Sequence, residues 1–321
     1  MTNRAQGADA AEEDDWSSFM CPEGGTAFGR HDMSIVKLSD ASIIRSNGRV
    51  GRHQISIQCV SALSPLDMID MYHGSQDATG NRVWTGSLLF LEAFARTLPM
   101  PKGEPESAAM QAKLGRLRAQ AFGNRNVVEL GCGTGISGIS ILAADEGSPA
   151  SVTFTDSDCP ALSLCRRNCE ANIDDKSRYS IQQLEWGSNL PMKMNPKSYD
   201  SVIATDVLYD ISSLAPLMQT ASKLVKVGGY FILSHVPRAS VEADNGDDGS
   251  AAVARADVLE SLIVEEGTKH GLCLESFLRP GELSSIWDGL SLNMTSFADV
   301  EDVGAAVLVF RRQVHCDATL L

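Results

Sequence analysis

The stretch Val127-Val128-Glu129-Leu130-Gly131-Cys132-Gly133-Thr134-Gly135-Ile136-Ser137-Gly138-Ile139 constrains this chain more than any other. An apolar run of strand length ends in an acid, and a glycine-rich turn then opens an apolar helix. Glycines in such a turn let the backbone approach a ligand, and the free N–H groups of the helix start face it. The expected local unit is therefore strand, tight turn and helix, with a nucleotide-type cofactor cradled at the turn.

Two cofactor classes fit those letters. Gly133 to Gly138 satisfies G-x-G-x-x-G, and Asp156 lies about 20 residues further on, as a nicotinamide dinucleotide site requires. Glu129, at the strand tip before the first glycine, weighs the other way. An anion there would oppose a pyrophosphate, but it suits a ligand carrying an ammonium and a sulfonium, namely S-adenosylmethionine.

From residue 126 onward, strand-like and helix-like segments alternate, which predicts a parallel sheet with helices on both faces. Strands are expected at 126–130, 151–156, 179–184, 199–205, 229–236, 272–279 and 305–312. Helices are expected at 135–145, 159–172, 213–226 and 252–270, with Gly228-Gly229 read as a helix stop. Upstream, helices are expected at 88–98 and 108–121, and the alternating segment 33–60 around Ser46-Asn47-Gly48 predicts an N-terminal β-hairpin. Residues 1–30 are expected to be a disordered acidic tail, 31–82 a β extension and 83–313 the main domain, followed by a tail at 314–321. A polar insertion is placed at 238–251 and a loop at 280–304.

Further positions carry chemistry. Asp156 closes the second strand and can accept both ribose hydroxyls, although it can also serve as a helix cap; Asp158, before Pro160, is the better cap. Trp186, just after the third strand, offers a flat face to adenine or is a partly buried core residue. Thr205, Asp206 and Tyr209 stand at and just past the end of the fourth strand, where open α/β sheets bind ligands. An acid and a phenol three residues apart could flank an incoming amine, unless Asp206 only caps the next turn. Trp84, in Val83-Trp84-Thr85-Gly86-Ser87, reads equally as a core anchor.

These segments together resemble the seven-stranded, S-adenosylmethionine-dependent protein-lysine methyltransferases of the methyltransferase-like 21 type, also called methyltransferase family 16. The likeness covers roughly residues 30–312 in the family's order. It implies an α/β, class I (seven-stranded, Rossmann-like) methyltransferase sheet with an N-terminal β-hairpin extension. It further implies that Trp84, Glu129, Gly131, Cys132, Gly133, Gly135, Asp156, Trp186 and Thr205 contact S-adenosylmethionine, and that Asp206 and Tyr209 face the substrate nitrogen. The acceptor is expected to be a protein lysine; histidine, arginine, a small molecule or a non-catalytic binding role stay open.

The remaining numbers set boundaries. The formal net charge is −14, which disfavours nucleic-acid backbone and is compatible with a basic protein substrate or with simple solubility. Eight scattered cysteines without a C-x-x-C pair predict no metal site and a reducing compartment, cytosol or nucleus. The polar, acidic first residues predict no secretory leader, and no apolar run predicts a membrane span. A monomer is expected.

Overall fold

A computed structural model describes residues 33–39, 43–44, 50–51, 54–60, 79–96, 98, 104–144, 147–237, 250–289 and 296–314. The acidic tail at 1–30, residues 238–249 of the insertion and residues 315–321 lie outside them.

Seven strands form one mixed sheet: β1 (Asn126–Leu130), β2 (Ser151–Asp156), β3 (Tyr179–Gln183), β4 (Tyr199–Thr205), β5 (Val225–His235), β6 (Leu272–Leu278) and β7 (Ala306–Arg312). Their spatial order is β6-β7-β5-β4-β1-β2-β3. Only β7 runs against its neighbours, between β5 and β6; the β3–β2–β1–β4–β5 block is parallel. The chain order reverses direction across the sheet at β1 and β4, so their C-terminal ends flank the crevice where such sheets bind ligands.

Burial on both faces explains the composition of the central strands. Val127 and Ile203 turn toward one core layer, shared with α1 (Thr85–Phe94), α2 (Pro105–Ala121), α3 (Ile136–Ala143) and α4 (Cys159–Asn172). Val128, Leu130, Val202 and Ala204 turn toward the other, covered by α5 (Leu214–Leu224) and α6 (Ser250–Lys269). Phe90, Phe94 and Phe122 meet edge-on or tilted at centroid distances of 5.1 to 6.1 Å and close the first layer. No helix among the described residues is long and apolar enough to cross a membrane.

Outside the sheet, Met33–Ser39 lies antiparallel to Gln54–Val60. The Gln54–Val60 strand docks on α4 through two asparagines that act like short pieces of strand. Ser56 N–H donates to Asn172 Oδ1 (2.8 Å) and Asn172 Nδ2 donates back to Ser56 O (2.8 Å). Asn168 repeats the exchange with Gln58 at 2.9 and 3.1 Å. Ile57 and Cys59 are buried beside them.

Three expectations are corrected. The helix before β5 ends at Leu224, and Gly228-Gly229 lie inside the strand rather than stopping the helix. The pairing of β4 with β5 slips between Tyr199 and Ser201, and a Cβ on Gly229 would sit 2.6 Å from Asp200 O, so the glycine permits a close strand approach. The first helix starts at Thr85, three residues before Leu88, because Gly86 and Ser87 join its first turn. The expected loop at 280–304 contains two short helices: α7 (Pro280–Ser284), where the Glu282 carboxylate accepts from Arg279 N–H (2.9 Å), and α8 (Phe297–Asp302), opened by a Ser296–Asp299 capping box. Between them Trp287 is buried, donating to Glu92 O at 3.1 Å under the Arg96 guanidinium, 4.1 Å from its ring centroid.

Candidate active site

The turn after β1 is built from three glycines in the left-handed region, with φ of 65° at Gly131, 49° at Gly133 and 78° at Gly135. Cys132 N–H donates to Thr155 O (2.8 Å), and Gly133 N–H donates to Asp156 Oδ2 (2.9 Å). The Asp156 carboxylate also accepts from Asp158 N–H (3.0 Å), so it holds the glycine turn and the start of α4 in one register. Asp158 caps α4 by accepting from Ala161 N–H at 3.0 Å, as its position before Pro160 predicts.

Beyond the strand ends lies one cleft of about 340 Å³. Nine of the eleven residues singled out from the sequence line it: Trp84, Gly131, Cys132, Gly133, Asp156, Trp186, Thr205, Asp206 and Tyr209. Gly131 leaves room at the wall, since a Cβ there would meet Val207 Cγ1 at 2.8 Å and Trp186 Cζ2 at 3.1 Å. Burial pushes the Cys132 thiol up to about 12, so it is neutral at pH 7 and is no nucleophile.

The other two stand apart from the cleft. Gly135 begins α3 and faces the protein, where an added Cβ would sit 2.7 Å from Cys165 Sγ. Glu129, expected to face a ligand's positive charges, is directed beneath the turn. It is buried, and Oε2 accepts from Gly138 N–H (3.0 Å). Burial raises its pKa to about 8, the Gly138 hydrogen bond opposing and the Asp156 charge adding to the rise.

At the end of β4, Asp206 takes φ +57°, a conformation rare for a side-chain-bearing residue and concentrated at functional sites. Its Oδ2 accepts from Gly86 N–H (3.0 Å) in the first turn of α1, so this acid does cap a helix, but one 120 positions earlier in the chain. Gly86 cannot be larger: a Cβ would lie 2.7 Å from Asp206 Cβ. Beside it Thr205 Oγ1 joins Ser87 Oγ (3.0 Å) and Ser137 Oγ (2.9 Å), tying α1, β4 and α3 together. Tyr209 stands half-exposed at the mouth.

A segment unanticipated from the sequence completes the cleft wall. Thr79, Gly80 and Arg82 line it, and Gly80 O would be 2.7 Å from a Cβ on Gly133. Trp84 is fixed by Nε1–H donating to Thr79 O (2.8 Å). These positions carry no periodic pattern or recurrent spacing; their proximity to Trp84 was the available signal.

The profile of a family described as lysine methyltransferase, methyltransferase family 16, matches residues 66–245. Protein N-lysine methyltransferase METTL21A of Xenopus tropicalis is 36% identical over 113 residues, which are 35% of this chain and 49% of that protein. EEF1A lysine methyltransferase 3 of Mus musculus is 33% identical over 124 residues, 38% of this chain and 50% of that protein. The chain thus spans about half the length of the curated relatives it matches. Among solved structures, geranyl diphosphate C-methyltransferase from Streptomyces coelicolor aligns with a TM-score of 0.44 at 14% identity, over 78% of this chain and 100% of that one.

Proposed function

The chain belongs to the lysine methyltransferase family, and from that premise we propose that it transfers a methyl group from S-adenosylmethionine to a lysine side-chain nitrogen of a protein substrate. The observation that carries this reading is that Asp206 and Tyr209 open onto the same cleft as the glycine turn. We take residues 83–313 as the methyltransferase domain, and the Met33–Val60 ribbon as an N-terminal β-hairpin extension resting on it.

The donor set of the cleft fits the cofactor. Gly131 and Gly133 present bare backbone where a Cβ would fill the space. Asp156, Trp186 and Trp84 all line the cleft, which supports reading Asp156 as the acceptor for the ribose hydroxyls and the two indoles as flat apolar walls. Thr205 keeps its hydroxyl within the Ser87–Ser137 network and shapes the floor. When bound, S-adenosylmethionine supplies an electrophilic methyl group on sulfur.

The protein's task is then alignment and exclusion of water. The lysine must present a neutral lone pair, although its ordinary pKa is about 10.4. Removal from water favours that neutral form, whereas a neighbouring carboxylate favours the ammonium. Asp206 therefore binds and orients the amine, with Tyr209 beside it at the mouth, and bulk water receives the proton.

The test uses tritiated S-adenosylmethionine and lysate depleted of methylation, with wild type run beside Asp206→Asn. Asparagine tolerates positive φ and its oxygen can still accept from Gly86 N–H, so the α1 cap survives. Discrete labelled protein bands with wild type and their loss in Asp206→Asn are expected. Equal labelling by both proteins would remove Asp206 from the mechanism. No labelling despite binding of S-adenosylhomocysteine would refute a protein acceptor.

A further inference from the structure

Among the described residues the cleft is lined by four carboxylates, Asp156, Asp158, Glu185 and Asp206, and by a single cation, Arg82. Among the described residues no acid pairs with Arg82; its guanidinium instead lies over the Trp84 ring, 5.1 Å from the centroid. Both side chains spring from one turn, anchored by Arg82 N–H and Trp84 Nε1–H donating to the same Thr79 carbonyl at 3.3 and 2.8 Å. The turn is pressed against the glycine loop, because Gly80 leaves no room for a Cβ on Gly133.

We propose that Arg82 is the receptor for the α-carboxylate at the methionine end of the cofactor, an inference that rests on the methyltransferase reading above. The ligand's ammonium, sulfonium and ribose hydroxyls can all be met by acids and backbone carbonyls, of which this cleft has many. Its one carboxylate cannot: entering a space with four acids, it is repelled unless a cation meets it. A guanidinium presents paired N–H donors that match the two carboxylate oxygens. Stacking on Trp84 holds that fork in place before the ligand arrives, so less freedom is lost on binding. A role in seating the substrate lysine is opposed by like charge.

The experiment measures calorimetric affinities of wild type, Arg82→Gln and Arg82→Lys for two ligands. One is S-adenosylhomocysteine. The other is 5′-deoxy-5′-methylthioadenosine, which keeps the adenosine and thioether but has no amino acid. Arg82→Gln is expected to weaken S-adenosylhomocysteine by roughly tenfold to a hundredfold, the range of a charge-assisted contact. Arg82→Lys should fall between, and methylthioadenosine should bind all three within about twofold. That unchanged ligand also establishes that the variant cleft is folded. Equal losses for both ligands would overturn the proposal in favour of Arg82 merely propping Trp84, and so would an unchanged affinity for S-adenosylhomocysteine. If wild type bound neither ligand, the cofactor reading itself would fail, and the inference with it.

Discussion

Glu129→Gln removes a carboxyl whose ionised form the fold does not solvate. The carboxyl is buried beneath the glycine turn, with one oxygen held by Gly138 N–H. Its pKa rises from an ordinary 4.5 to about 8. Between those values the folded protein keeps a proton that the unfolded chain releases, so stability must fall as pH rises, by about 1.4 kcal/mol per unit. The stability is fully present below pH 4.5 and is lost progressively until the folded group itself ionises near pH 8. From pH 5 to pH 7 the loss attributable to Glu129 is about 3 kcal/mol, an order-of-magnitude figure for one buried group. Glutamine keeps the shape and can accept from Gly138, but it does not titrate. Urea unfolding of the ligand-free protein at pH 5, 6, 7 and 8 provides the measurement. Wild type and Glu129→Gln should agree within about 1 kcal/mol at pH 5 and diverge steadily above it, the variant becoming the more stable. Parallel profiles across the range would refute the argument, because they would mean that Glu129 is ionised in the native state at every pH tested.

Three other outcomes follow from the packing. Gly131→Ala places a methyl between Val207 and Trp186 on a left-handed residue; about 1–2 kcal/mol of stability should be lost and S-adenosylhomocysteine affinity should drop, both readable by thermal shift and calorimetry. Asn168→Ala deletes the paired bonds to Gln58 and a bond to Thr134 O; about 1–3 kcal/mol should be lost and limited proteolysis near Gln54–Val60 should accelerate. Trp287→Ala empties a buried site under Arg96 and should cost about 3–5 kcal/mol in urea unfolding. An effect under 1 kcal/mol there would show that the α7–α8 segment does not rest on α1.

Legibility followed the physics of each element. Strands such as Val127–Leu130 and Ser201–Thr205 stand out because burial on both faces favours predominantly apolar runs, and α4 because Asp158 and Pro160 mark its first turn. The helices α7 and α8 were missed because five and six residues hold fewer than two helical turns, too few to show a repeating apolar face; the Ser296–Asp299 capping box was the local sign for α8. Gly228-Gly229 misled because a helix stop and a strand irregularity call for the same residue. At the site, position along the chain was readable but side-chain direction was not. Glu129 and Leu130 are consecutive and point to opposite faces, and only the packing of Gly138 decides which face receives the acid. Arg82 belongs to no motif, so only the fold places it beside Trp84.

The two segments that set this chain apart, Val83–Ser87 and Thr205–Tyr209, are one packed unit rather than two signals. Asp206 Oδ2 accepts from Gly86 N–H, Ser87 shares a hydrogen bond with Thr205, and Ser234 donates through Oγ to Gly86 O at 2.6 Å while its carbonyl accepts from Asp206 N–H at 2.8 Å. Each bond constrains the others, since Asp206 reaches Gly86 only in its left-handed conformation and Gly86 admits Asp206 only without a Cβ. The strain at Asp206 is thus sustained by contacts across the whole width of the site. It follows that a side chain at position 86 must displace the carboxylate on which the proposed amine contact depends, although residue 86 does not itself line the cleft. Position 86 is fixed by the geometry of position 206, which is why the tryptophan segment and the acid segment carry functional meaning only together.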